Sequence, residues 1–164
     1  MILALNTKFE GYTPVQVLGK GTAYREVYLT KNAYEQEVVL TVYDMKKLPD
    51  GFVDGKIPEI EIMPQLTNEV FPAYIDCGNY DKDGVSLQWM TTKYVGQTTL
   101  SELISSEYVR EGCEMLQQFY NILVAIKEIS WRMGGGCCNN ITTDNIIVST
   151  DALGKTKWYF VGLN

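Results

Sequence analysis

This 164-residue sequence contains no histidine, the side chain whose ordinary pKa best suits acid–base chemistry near neutral pH and the commonest metal ligand. A Ser-His-Asp triad, a Cys-His dyad and an H-E-x-x-H zinc site are therefore excluded. Four cysteines remain, at positions 77, 113, 137 and 138, and their spacing matches no C-x-x-C pair. Without histidine a zinc site would need cysteine ligands alone, so we expect four reduced thiols instead.

The composition predicts one folded domain, since 46% of the residues are hydrophobic and can form a sizeable core. A formal net charge of −6 argues against nucleic-acid binding, which needs a basic surface. The first residues lack the basic region and cleavage site of a signal peptide, and no apolar run approaches membrane-spanning length. We therefore expect a cytoplasmic protein that binds neither nucleic acid nor membrane.

The first half of the chain is predicted to form β-strands, because β-branched and aromatic residues dominate its apolar runs. A hairpin turn is indicated at residues 81–84, and one helix is predicted over residues 59–66, where Pro64 should kink or shorten it. The predicted strands are Tyr12–Leu18, Glu26–Thr30, Glu37–Asp44, residues 73–77 and Val85–Met90.

The second half is predicted to be partly helical. Thr98 or Thr99 can cap a short helix ending at Ser105, with Glu102 as the capping-box partner of Thr99. A long helix is predicted over residues 111–133, followed by three glycines and a small hairpin over residues 146–161. Strands followed by helices favour an α+β fold.

The long helix carries two apolar stripes, so we expect it to be buried on two sides. The main stripe consists of Met115, Phe119, Ile122, Ile126 and Ile129, joined by Leu116 and Leu123. The second stripe, roughly opposite, consists of Cys113, Tyr120, Val124 and Trp131. These four are our interface candidates. The helix either packs against the chain's own loops or meets a protein partner, a second copy or a continuation of the chain.

Taken in order, these segments resemble the eukaryotic-type protein kinase fold. The resemblance implies a kinase-like N-lobe over residues 1–92, with a five-stranded antiparallel sheet and one helix. A truncated, partly helical C-lobe over residues 93–164 would end where the activation segment should begin. The matching segments are Leu18–Gly21 with Val27 and Tyr28 for the glycine-rich loop and second strand, Glu37–Asp44 for the third strand, Glu59 or Glu61 for the regulatory helix, Lys93–Gly96 with Thr99 and Leu100 for the hinge, Cys138–Val148 for the catalytic loop, and Tyr159–Leu163 for the D-F-G segment.

The sequence departs from the resembled family at the residues that phosphoryl transfer needs. Thr41 stands at the position of the third-strand lysine, and Cys138 at that of the catalytic-loop histidine. Asn140 replaces the catalytic base, and Phe160 replaces the metal-binding aspartate. Asn145, the second metal ligand of the family, is retained. We interpret the chain as a pseudokinase-like domain.

Several residues have two interpretations. Lys20 either reaches a phosphate in place of the missing lysine or lies in solvent, which we favour. Asn145 is a weak metal-ligand candidate and is more often a residue that fixes its loop by hydrogen bonds. Without a lysine at position 41, Glu59 and Glu61 are expected to be ordinary carboxylates on a helix surface. Cys137 and Cys138 are either a redox sensor or, as we favour, small buried hydrophobes.

The predicted function is that of an inactive kinase-like module for protein–protein interaction or regulation, either free-standing or at the N-terminus of a longer protein. The alternative is a nucleotide-binding sensor or an atypical serine/threonine kinase-like phosphotransferase that uses Lys20 and Asn145. We expect no metal or cofactor in the first case and ATP in the alternative. The nucleotide-binding candidates are Gly19, Lys20, Gly21, Thr92, Lys93, Tyr94 and Asn145.

Overall fold

The computed structural model describes residues 1–50, 52, 55–106, 112–132 and 141–162, apart from the side chain of Cys113. The chain forms two compact units. The first unit comprises Met1–Glu61 and Ala73–Tyr94, and the second comprises Ile62–Pro72 and Val95–Asn164. Each unit has its own hydrophobic cluster.

The first unit is built on a five-stranded antiparallel sheet, as predicted, with the strand order β1-β2-β3-β5-β4. Its edge strands are β1 and β4, and β3 lies at the centre between β2 and β5. The strands are β1 (Thr13–Val17), β2 (Arg25–Lys31), β3 (Glu37–Asp44), β4 (Tyr74–Lys82) and β5 (Val85–Lys93).

The hairpin of β4 and β5 is longer than the sequence predicted. Its connection consists of Asp83 and Gly84 alone, with φ angles of +50° and +77°. A two-residue turn with two positive φ angles matches the right-handed twist of the paired strands. Pairing therefore extends to Lys82 and Val85, directly beside the turn.

One face of the sheet is covered by the N-terminal segment of the chain. Phe9 packs with Tyr28, Leu40, Val42, Leu87 and Trp89 in the buried cluster of this unit. Trp89 lies opposite Gly78 in the β4–β5 pair, and a Cβ atom at Gly78 would be only 2.6 Å from the indole ring. The ring thus fills the space that a side chain at position 78 would need.

The predicted helix over residues 59–66 is shortened, as its proline implied. Helix α1 spans Pro58–Ile62 and continues as a 3₁₀ turn over Met63–Gln65, which contains Pro64. Ile62 already belongs to the second unit, where it joins the buried cluster.

The second unit combines two helices with the small hairpin. Helix α2 spans Leu100–Ser105, and Thr99 and Glu102 form the predicted capping box. Helix α3 spans Gly112–Arg132, and the hairpin consists of β6 (Ile146–Thr150) and β7 (Thr156–Phe160). Within the ranges described, no helix is both long and apolar enough to cross a membrane.

One assignment on α3 was wrong. Ile122, Ala125 and Ile129 are buried in the second unit's cluster, with Met115 and Ile126 packed beside them. Phe119 of the main stripe is 43% exposed, although its ring centre lies 5.0 Å from that of Trp158. Leu116 and Leu123, which we also assigned to this stripe, are 71% and 63% exposed. At about 100° per residue they lie between the two stripes, and the structure places them on the exposed side.

Candidate functional site

The glycine-containing connection between β1 and β2 folds back on itself. The Thr22 amide donates to the carbonyl oxygen of Arg25 at 2.8 Å, and the Arg25 amide donates to Thr22 Oγ1 at 3.0 Å. Gly19 has a φ of +67°, and Gly19, Lys20 and Gly21 are all exposed. Lys20 therefore lies on the surface of the first unit, and whether it reaches a phosphate stays a prediction.

Thr41, at the position of the family's lysine, is buried at the centre of β3. It lies opposite Val27 on β2 and opposite Met90 on β5. Its short side chain brings no positive charge to this part of the sheet.

A cation reaches the same region from the neighbouring strand. Arg25 begins β2, two residues before Val27, and lies opposite Tyr43 on β3. Arg25 Nη2 lies 3.4 Å from a carboxylate oxygen of Glu59 on α1, and Arg25 Nε lies 3.3 Å from the Tyr43 hydroxyl oxygen. The Tyr43 hydroxyl donates to Glu59. These three side chains, the Arg25 cluster, close a triangle of polar contacts.

The Arg25 cluster is largely excluded from solvent. Tyr43 is 1% exposed and Glu59 is 4% exposed. Burial disfavours the charged form of Arg25, but the charge of Glu59 and the contact with Tyr43 outweigh it and raise the pKa of the guanidinium. Burial and the neighbouring Glu59 also raise the pKa of Tyr43. Both raised pKa values favour the protonated forms, so Arg25 stays a cation and Tyr43 stays a neutral phenol.

Our expectation that Glu59 is an ordinary surface carboxylate was wrong, because Arg25 supplies the charge that Thr41 lacks. The two-residue period of side chains along a strand is the sequence signal that points to this cluster. Residues two apart on a strand share a face, so Arg25 shares the face of Val27, and Tyr43 shares that of Thr41. Glu61 is more exposed and lies 3.4 Å from Lys56.

The three hinge candidates lie at the end of β5 and directly after it. Thr92 is buried and pairs with Val39 and Tyr74, whereas Lys93 is exposed. Partial burial and, to a smaller extent, the charge of Glu37 raise the pKa of Tyr94. Whether these residues bind nucleotide stays a prediction.

In the second unit, Asn145 lies next to the backbone that follows β7. It ends a 3₁₀ turn over Thr143–Asn145, and its carbonyl oxygen accepts from the Val161 amide at 2.9 Å. A Cβ atom at Gly162 would lie 3.3 Å from Asn145 Oδ1. This arrangement is compatible with a residue that fixes its loop.

Phe160, at the position of the family's metal-binding aspartate, ends β7 and is 1% exposed. Its ring belongs to the buried cluster, and its amide donates to the carbonyl oxygen of Val70 at 2.9 Å. The side chain is thus a core residue of the second unit.

Three predicted positions, Cys137, Cys138 and Asn140, lie outside the described residues, as does the side chain of Cys113. Cys77 is described as a free, exposed thiol on β4. Among the residues that the structure covers, no group of three or more cysteines and carboxylates is placed to hold a metal ion.

The remaining interface candidates are all exposed on α3. Tyr120 is 62% exposed, Val124 41% and Trp131 76%. Arg132 places its guanidinium 5.6 Å from the centre of the Trp131 ring. The second stripe of the helix is therefore accessible to solvent.

No protein-family model matches this chain, and no curated protein matches it. Solved kinase domains do match in structure. The kinase domain of PknI from Mycobacterium tuberculosis superimposes with a TM-score of 0.71 and 22% sequence identity, over 97% of this chain and 62% of that domain. A double-mutant form of the same domain gives a TM-score of 0.72 over the same shares. The fold is kinase-like, and the chain spans about three fifths of the length of these domains.

Proposed function

We propose that this chain is a catalytically inactive kinase-like module that acts by binding another protein. The observation that carries the proposal is Phe160, a buried core side chain at the position where the resembled family has its metal-binding carboxylate. A phenyl ring cannot ligate Mg²⁺, and phosphoryl transfer depends on that ion to neutralise the developing charge.

Two further features support the loss of catalysis. The amide at Asn140 cannot accept a proton, which removes general-base assistance typically worth about 10² to 10⁴ in rate. In the glycine segment, the Thr22 amide is hydrogen-bonded to the carbonyl oxygen of Arg25 instead of remaining open for a phosphate. Because these parts act together, the loss of several leaves little basis for transfer.

The proposal is tested by incubating the chain with γ-labelled ATP, Mg²⁺ or Mn²⁺, and a basic protein substrate. We expect no incorporation above the blank into the chain or the substrate, and the same result for Asn145→Ala. Metal-dependent transfer that Asn145→Ala abolishes would contradict the proposal.

A nucleotide-binding sensor is the second candidate, and the Arg25 cluster favours it. Arg25 lies four residues after Gly21 and brings a guanidinium to the part of the sheet where Thr41 brings none. In this function Lys20 and Asn145 would contact the phosphates of ATP or its metal ion.

Thermal unfolding with millimolar ATP, with and without Mg²⁺, separates the two functions. A ligand at 100 times its Kd stabilises a protein by about 2.7 kcal/mol, which moves the Tm by several degrees. The sensor predicts such a shift, and Lys20→Ala and Asn145→Ala should reduce it. Lys31→Ala, at the far end of β2, is the matched lysine control. The binding module predicts no shift.

A further inference from the structure

Helix α3 presents an exposed stripe that is separate from its buried face. The stripe consists of Leu116, Tyr120, Leu123, Val124, Lys127 and Trp131, which we call the α3 stripe. At about 100° per residue these six side chains fall within an arc of about 100°. The buried residues Ile122, Ala125 and Ile129 lie outside that arc.

The apolar members of the α3 stripe are strongly exposed. Leu116, Tyr120, Leu123 and Trp131 are each more than 60% exposed, and Val124 is 41% exposed. Exposed apolar residues scattered singly over a surface are ordinary, whereas a contiguous apolar patch marks an interaction site. Four such residues and a valine on one helical arc form a contiguous patch.

The α3 stripe is symmetric about its own centre, which lies midway between Leu123 and Val124. Tyr120 and Lys127 are equally distant from this point along the helix, and so are Leu116 and Trp131. If a second α3 helix lies antiparallel and is centred on the same point, each stripe residue therefore faces another stripe residue. In this arrangement Leu116 faces Trp131, Leu123 faces Val124, and the charged Lys127 faces Tyr120.

We propose that the α3 stripe binds a second copy of this chain, with the two α3 helices antiparallel about a two-fold axis through that centre. Leu116 then packs on the partner's Trp131, and Leu123 packs on the partner's Val124. The Lys127 ammonium faces the ring of the partner's Tyr120, an attractive cation–π contact. A closed two-fold pair is the commonest oligomer of soluble proteins and requires a self-complementary surface.

The expected dimer is weak. The stripe covers 16 residues of helix, which is about 22 Å at the rise of an α-helix. Two such stripes bury on the order of 1,000 Å² in total, at the low end for specific interfaces. The association should therefore depend on concentration across the micromolar range. It does not depend on whether the chain binds nucleotide or transfers phosphate.

Sedimentation equilibrium on the 164-residue chain and its variants tests the proposal. We expect a monomer–dimer equilibrium that Leu116→Glu or Trp131→Lys alone weakens by at least about tenfold, because each places a charge against apolar residues. The double variant L116E/W131K should restore the dimer at low salt, since each new glutamate then faces a new lysine across the axis. Both substitutions suit the helix dipole, with the acid near the N-terminus and the base near the C-terminus.

Leu153→Glu is the matched control, because Leu153 is 93% exposed in the same unit but lies in the β6–β7 connection. It should leave the equilibrium unchanged, and circular dichroism of every variant should match that of the parent. A chain that stays monomeric would overturn the proposal and leave the stripe to a different protein or to further polypeptide. A dimer insensitive to the single variants, or one that the double variant fails to restore, would overturn it equally.

Discussion

The two units of this protein differ in the unusual side chains that they contain: one buries a charged pair, and the other exposes apolar residues. In the first unit a charged pair is buried, and its contacts are made within the unit by Arg25, Tyr43 and Glu59. In the second unit the Phe160 side chain is buried, but α3 leaves Leu116, Leu123 and Trp131 in water. The polar contacts of the charged pair are thus completed within one unit. In the other unit, one apolar face of a helix is left exposed.

These two arrangements have different energetic consequences. A buried carboxylate without a cation costs several kcal/mol, so the Arg25 guanidinium beside Glu59 stabilises the folded first unit. An exposed apolar face costs little in the folded monomer but favours association. The first effect acts on folding, and the second acts on binding.

The largest expected effect tests how much the buried Arg25–Glu59 pair stabilises the first unit. Arg25→Met removes the cation that lies 3.4 Å from the buried Glu59 carboxylate and should lower the free energy of unfolding by about 3 to 5 kcal/mol in urea titrations. The double variant R25M/E59M removes both charges and should recover most of that loss. Lys31→Met, which breaks the exposed pair with Glu35, should cost no more than about 0.5 kcal/mol. A loss for Arg25→Met as small as that of the control would show that the cluster contributes little.

The next largest effect compares the stability that the buried and exposed faces of α3 contribute, using the adjacent residues Ile122 and Leu123. Ile122→Ala creates a cavity in the second unit's core and should destabilise the chain by about 2 to 5 kcal/mol. Leu123→Ala removes an exposed side chain and should change the free energy of unfolding by less than about 0.5 kcal/mol at concentrations where the chain is monomeric. Urea unfolding of both variants measures the difference. Equal losses would mean that Leu123 is covered within the monomer.

The smallest effect concerns pH and the first unit. Burial alone would raise the pKa of Glu26, but hydrogen bonds from Tyr28 and the Ile2 amide and the nearby N-terminal amine lower it below its ordinary value of 4.5. The stabilisation from Glu26 is therefore complete above about pH 4.5 and is lost as the pH falls through the lowered value. Glu26→Gln should cost about 1 kcal/mol at pH 7 and progressively less below pH 4.5. Urea unfolding from pH 7 to pH 3 checks this, and a constant difference would contradict it.

Local chemistry predicted most of the secondary structure. The sheet follows from runs such as Glu37–Asp44, where β-branched residues dominate, and α2 follows from the capping box of Thr99 and Glu102. Pro64 predicted the early end of α1. In each case the determining residues are neighbours in sequence, so one sequence contains the information.

The site was harder to predict, because its contacts join residues far apart in sequence. The β2–β3 register places Arg25 opposite Tyr43, and α1 then brings Glu59 to both. A single sequence specifies neither the register nor the position of the helix. The same limit affected Leu116 and Leu123, which lie between the two apolar stripes on the helix surface. Only tertiary packing decides whether such residues are buried or exposed.

The contact between Gly78 and Trp89 has a consequence for the evolution of this sheet. Because the indole ring occupies the space of a β-carbon at position 78, this position can gain a side chain only if Trp89 is replaced or moves. A homologue with alanine or a larger residue at position 78 should have lost the tryptophan at position 89 in favour of a smaller side chain.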